Sequence, residues 1–205
     1  MRRTGSVDAV SSTWMTEALK TSPRAMSIER DLRSWRPRAD GQDSLRREYL
    51  DFLRIRGATA LDREGGRAHL TASCFVLTPD LANILLCFHK KGRFWVQLGG
   101  HIEPDDRSVS AAAFREAVEE GGILELDPIS VLPLDVDRHD LGSGFRMCDT
   151  HWDIGFGATV AHGAVPVASH ESEAVQWWPV GSLPAEVPHG FGQRLGRIIG
   201  SLTRD

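Results

Sequence analysis

The chain has 205 residues, 41% of them hydrophobic and 25% charged, which is enough to bury one sizeable core, so one globular domain plus extras is expected. No run approaches the roughly 20 consecutive apolar residues that a membrane-crossing helix needs, and no secretory signal opens the chain; a soluble cytoplasmic protein without a membrane partner is the expectation. The three cysteines are far apart, which argues against a disulfide framework and a CxxC metal or redox site, and Cys74 and Cys87 read as small core residues.

The net charge of -4 divides unevenly. Residues 1–67 hold 14 Lys+Arg against 10 Asp+Glu, and the remainder holds 10 against 18. The basic front carries charges of mixed sign without regularly interleaved aromatics, so it reads as a solvated face and not as a nucleic-acid surface.

In chain order, residues 1–42 are rich in Ser, Thr, Arg and Gly, and Trp35-Arg36-Pro37-Arg38-Ala39-Asp40-Gly41 resembles a linker; a poorly ordered arm is expected there, with Met26 as an alternative start of translation. A domain spanning 43–205 follows. Leu45, Tyr49, Phe52 and Leu53 recur at helical spacing between a cap at Asp43 or Ser44 and a stop at Gly57. From His69 the pattern changes to β-rich runs: Leu70 to Thr78, Asn83 to His89 and Phe94 to Leu98. Further runs lie near Ile129 to Val136, Trp152 to Val160 and Ala174 to Val180. Phe191, Leu195, Ile198, Ile199 and Leu202 return to helical spacing. The sum is an α/β or α+β sandwich, a mixed sheet flanked by helices.

The strongest helix signal is SVSAAAFREAVEEGG, residues 108–122, with a serine cap, Ala and Glu inside, and a glycine pair at the end. At 100° per residue, Glu116, Glu119 and Glu120 share one face, on the stripe of Val109, Ala112 and Ala113, while Phe114 and Val118 project from nearly the opposite side and pack there. Like charges at this spacing repel, and the negative end of the helix dipole lies close. A bound cation reverses that balance, and oxygen-only ligands suit a hard ion, Mg²⁺ or Mn²⁺. The glycine pair Gly99-Gly100 after the run from Phe94 to Leu98 reads as a tight turn exposing carbonyls. Arg115 has either Glu119 or the acidic loop of Glu103, Asp105 and Asp106 within reach.

The segment GGHIEPDDRSVSAAAFREAVEEGGI resembles the Nudix box: Gly, five residues, Glu, seven residues, Arg-Glu, an apolar residue, any residue, Glu-Glu, any residue, Gly, apolar. Gly100, Arg115, Glu116, Ala117, Glu119, Glu120, Gly122 and Ile123 take its places. The chain departs in carrying Asp106 at the early glutamate, with a spacer to Arg115 one residue longer. The helix and strands before the box, and Trp177-Trp178-Pro179 with Leu183-Pro184 after it, also resemble a Nudix domain.

The resemblance implies a hydrolase that cleaves a phosphoanhydride in a nucleoside diphosphate-linked or related metabolite. It implies metal ligands at Glu116, Glu119, Glu120 and the carbonyl of Gly99, an orienting role for Arg115, and buttressing of that arginine by the early acidic residue. A box glutamate or a glutamate on a later loop serves as general base; Glu171 is the candidate for the latter, with Glu173 as fallback. His101 and His151 are candidate phosphate contacts, with a structural hydrogen-bonding role as the competing reading. Phe145 and Arg146, in the loop from Arg138 to Asp149, are candidates to read a ring and a phosphate, and Lys90, Lys91 and Arg93 form a basic hairpin tip. A small diphosphate is the expected partner, and a homodimer is left open. The alternatives are a non-hydrolytic nucleotide-binding regulator of the same fold, and an isomerase using a cysteine such as Cys74.

Overall fold

The computed structural model describes residues 22–141, 148–169 and 172–203. One eight-stranded mixed sheet dominates, built from β1 (Ala68–Leu77), β2 (Asn83–His89), β3 (Phe94–Val96), β4 (Leu98–His101), β5 (Asp127–Pro128), β6 (Asp135–Asp140), β7 (Thr150–Thr159) and β8 (Ser172–Pro179). Among the described residues the helices are α1 (Pro23–Ser34), α2 (Gln42–Arg56), α3 (Val109–Gly121) and α4 (Phe191–Leu202), with a 3-10 turn over Gly57–Ala60. Strand β1 is the spine. It runs parallel to β7 along its full length, Ala68 opposite Thr150 through Leu77 opposite Thr159, and antiparallel to β2 and β4.

The period of two in β1 and β2 explains how both sheet faces become core. Leu70, Ala72, Cys74 and Val76, with Leu85 and Cys87, face α1, α2 and α3. Phe75 and Leu77, with Ile84 and Leu86, face Phe191, Leu195 and Ile198 of α4. A strand buried on both faces reads as a nearly continuous apolar run, which is how β1 looks in sequence.

Residues 22–42 depart from the expected arm. Ala25, Ile28, Leu32 and Trp35 are buried in the main core, so their spacing is that of a helix packed by one face. The high arginine content of α1 masks that stripe in a composition-based reading. The helix opens at Pro23, before Met26, and Pro at its start suits the helix geometry. Helix α2 begins at Gln42, after Gly41 in the left-handed conformation and not at an Asp43 or Ser44 cap, and the Gln42 side chain ties it to β6: Nε2 donates to the Val136 carbonyl at 2.9 Å and Oε1 accepts from the Val136 amide at 2.8 Å.

Two strand expectations also shift. Of the run Ile129 to Val136 only Asp135 and Val136 are strand; β5 ends before the run and β6 starts at Asp135. Pro133 has no N–H to pair, and the connection is held to β7 by Ile129 and Leu134 donating to the Gly157 and Gly155 carbonyls. The run Phe94 to Leu98 breaks at Gln97, so β3 pairs with β2 while β4 crosses to β1.

Candidate active site

Helix α3 and strand β4 build the site together. Ser108 caps α3, its hydroxyl accepting from the Ala111 amide at 3.0 Å, and Gly122 closes it in the left-handed conformation. The face that meets the sheet is the small-residue stripe, Val109, Ala112, Ala113 and Ala117, continued by Glu116 and Glu120, which are 9% and 8% exposed. Phe114 and Val118 flank it half-buried; Phe114 packs against the core beside Phe156 of β7 as expected, and the carboxylate face lies against the sheet as well. The alanines have no bulk, and the helix comes close enough to lay its carboxylates on the glycine pair.

That pair is strand and not turn: Gly99 lies opposite Ser73 and Gly100 opposite Ala72. The glycines are needed for close approach. A Cβ at Gly99 would fall 2.6 Å from the Ala72 carbonyl oxygen, and one at Gly100 would fall 2.6 Å from Glu116 Oε1. The Gly99 amide donates to Glu120 Oε2 at 2.9 Å, and the Cys87 thiol lies 3.8 Å from the same oxygen. Burial and then the Glu120 charge push the Cys87 thiol up, so it stays protonated.

Arg115 makes both contacts that its position allowed. Its Nε and Nη2 form a fork on Asp106, each at 3.0 Å, while Nη1 reaches Glu116 at 3.0 Å and Glu119 at 2.9 Å and Nη2 also donates to the His101 carbonyl. The aspartate therefore spans the one-residue-longer spacer. Burial alone would raise the Asp106 carboxyl, but the Arg115 fork and the Glu103 amide outweigh it and hold it below its ordinary value. Asp106 first, and then Glu116, push Arg115 up against the opposing effect of burial. Glu119 is the exposed member of the triplet.

The site opens on a cleft of about 620 Å³, lined by Glu116, Glu119, Arg115, His101 and Glu103 and by two arginines not singled out from sequence, Arg24 and Arg63. Arg24 comes from α1 and donates to the Glu103 carbonyl. Neither was legible, since a cationic wall drawn from the first 63 residues exists only after folding.

His101 and His151 come together beside this cleft with His69, a residue given no role from sequence. Ring centroids are 5.0 Å apart for His69–His101, 4.9 Å for His69–His151 and 6.1 Å for His101–His151. Burial first, then neighbouring positive charge, lowers all three, His101 to about 4 and His151 to about 3. On the same face, Arg194 of α4 forks Asp135 at 2.8 Å through Nε and Nη2 and reaches Asp153 at 2.7 Å; Asp153 in turn accepts from Thr71 and Ser73. The period-two polar series His69, Thr71, Ser73 inside a buried strand was the signal for this layer.

Other expectations resolve differently. Glu173 does not line the cleft; it pairs with Arg93 at 2.5 Å, because the hairpin tip lies beside the start of β8. Arg93 also lies over the Phe88 ring. Glu171, Phe145 and Arg146 lie outside the described residues. Cys74 is fully buried with its thiol pushed up to about 12, first by burial, which removes the basis for a catalytic cysteine there.

The model of the NUDIX domain matches residues 67–197, which takes in the whole sheet, the box helix and the start of α4. The chain belongs to the NUDIX family of hydrolases. Solved NUDIX structures share the fold: a NUDIX-family hydrolase from Clostridium perfringens is 23% identical with TM-score 0.53, covering 65% of this chain and 97% of that one. An Ap4A hydrolase from C. elegans is 16% identical with TM-score 0.54 over 65% and 96% of the two chains. The E. coli dihydroneopterin triphosphate pyrophosphohydrolase is 18% identical with TM-score 0.53 over 64% and 95%. No curated protein matches the chain. Among the described residues no helix is long and apolar enough to cross a membrane.

Proposed function

We propose that this NUDIX chain is a metal-dependent hydrolase that cleaves a phosphoanhydride bond in a nucleoside diphosphate-linked or related metabolite. The observation that carries the reading is the convergence of Arg115, Glu116 and Glu119 on the wall of a cleft that also carries Arg24 and Arg63, with Glu120 buried behind them on the Gly99 amide.

The donor set fits a hard divalent ion. Carboxylate oxygens from one helix face the strand whose glycines leave room for them, and the one softer atom in contact with them among the described residues is the protonated Cys87 thiol. Glu116, Glu119, Glu120 and the Gly99 carbonyl would hold Mg²⁺ or Mn²⁺. Such an ion neutralises diphosphate oxygens and lowers the pKa of an attacking water.

The chain's own residues supply the rest. Asp106 holds the Arg115 guanidinium in one orientation, so that arginine positions Glu116 and Glu119. Arg24 and Arg63 place positive charge on the cleft wall, where it favours a polyanion. The Gly99 amide and Cys87 constrain Glu120, which with Glu119 is a box candidate for general base; Glu171 is the loop candidate. We assign a small diphosphate as substrate and a cytoplasmic setting, in line with three buried free thiols.

The test is a panel of nucleoside triphosphates, sugar nucleotides, dinucleotides and non-nucleotide diphosphates with Mg²⁺ or Mn²⁺, comparing wild type with Glu120→Gln. The expected result is turnover of at least one class, reduced about 100-fold or more in the variant. Equal turnover by the two proteins sinks the assignment of Glu120. Tight binding of one compound with no turnover of any favours a regulator.

A further inference from the structure

The three histidines lie on three neighbouring strands. His69 of β1 stands directly opposite His151 of β7, and His101 of β4 stands opposite Thr71, two residues along β1 on the same face as His69. One ring nitrogen from each lies within 4.8 Å of the other two. Tetrahedral Zn–N bonds place donor nitrogens about 3.3 Å apart, and rotation of His101 and His151, both only half-buried, closes the difference.

His69 marks what the cluster is for. It is 1% exposed, and its Nε2 has no hydrogen-bond partner. A buried polar atom left in that state is costly, and most such atoms have an explanation. Its Nδ1 lies 3.3 Å from Cys148 Sγ, while that sulfur has the Arg67 and Thr150 carbonyls at 3.4 and 3.5 Å to take its proton. With the thiol proton given to one of these carbonyls, the sulfur accepts from Nδ1–H. That tautomer leaves a lone pair on Nε2, the buried atom without a partner, while the second nitrogen has an outer partner in the manner of metal-binding histidines.

We infer that His69, His101 and His151 form a second metal site, for a borderline late first-row divalent cation with Zn²⁺ foremost, separate from the carboxylate site. Imidazole donors prefer Zn²⁺ and its neighbours over Mg²⁺ or Mn²⁺, the reverse of the preference of Glu116, Glu119 and Glu120, so the two sites select different ions. Three ligands from a rigid sheet leave a fourth coordination position for water or another ligand. Of the three histidines, His101 lines the cleft. The site stands independently of the hydrolase reading.

The test is a Zn²⁺ titration of the full chain against a competing chromophoric chelator in excess Mg²⁺, for wild type, His101→Gln, His151→Gln and Glu120→Gln, with circular dichroism to confirm folding. Wild type and Glu120→Gln are expected to take up one Zn²⁺ that Mg²⁺ does not displace, and each histidine variant to bind about 100-fold more weakly. Co²⁺-loaded wild type is expected to show the intense visible bands of four-coordinate cobalt and three hyperfine-shifted imidazole N–H proton signals, a readout that needs no variant. Absence of tight Zn²⁺ binding in wild type overturns the inference. So does binding lost in Glu120→Gln but retained in both histidine variants, or cobalt without shifted imidazole signals. Loss of turnover in Glu120→Gln with Zn²⁺ retained separates the two sites.

Discussion

Replacing Gly100 by alanine isolates the geometry of the box from its chemistry, since no carboxylate is removed. The added Cβ would fall 2.6 Å from Glu116 Cδ and Oε1 and 2.8 Å from Oε2, where ordinary contact begins near 3.4 Å. The carboxylate must therefore retreat by about 0.6–0.8 Å, a shift on the scale that costs about 100-fold in rate when it falls on a catalytic group. Gly100 does not occupy the left-handed region, so alanine brings no backbone strain, and the clashing atoms are the end of a flexible side chain. The stability cost is accordingly about 1 kcal/mol, a fall of about 2–4 °C in Tm for a chain of this size. Steady-state kinetics on the best substrate from the panel, at saturating Mg²⁺, together with a thermal melt, separate the two effects. A variant with kcat/KM within about twofold of wild type and an unchanged Tm would refute the claim that the Glu116 carboxylate must sit against this strand.

Arg194→Met strands Asp135 and Asp153 in the interior and is expected to cost about 3–5 kcal/mol, measured by urea unfolding; a loss under 1 kcal/mol contradicts the buried ion network. Leu32→Ala should cost about 2–5 kcal/mol, because the side chain is fully buried, whereas a disordered arm would show no change. The folded Asp106 carboxyl lies below 3.8, so its contribution is complete above that value and is lost as pH falls through the lower folded value. Stability measured from pH 6 down to about 2 should therefore fall less steeply in Asp106→Asn than in wild type; parallel curves count against the Arg115 fork.

The legible parts of the fold were those whose signal is local. Helix α3 with its Ser108 cap and Gly122 stop, the strand Asn83–His89 and the helix from Phe191 to Leu202 all follow from spacing and end residues that neighbours do not override. Helix α1 is hidden in the composition because Ala25, Ile28, Leu32 and Trp35 stand among arginines whose charges remain in solvent, and composition averages over faces that a helix keeps apart. The glycine pair reads as a turn in sequence and is strand in the fold, since sequence does not say whether glycine serves curvature or close approach.

The residues 99–123 by themselves determined the family, a carboxylate face on a capped helix and an arginine among acids, because all of these depend on positions a few residues apart. Only the tertiary structure decided which groups that face meets. It turned Glu116 and Glu120 inward onto β4, let the shorter Asp106 reach Arg115 and brought Arg24 and Arg63 to one cleft. It also set His69, His101 and His151 side by side from segments 32 and more residues apart. Contacts of that separation depend on strand register and sheet order, which are set by the packing of the whole core and by no local pattern.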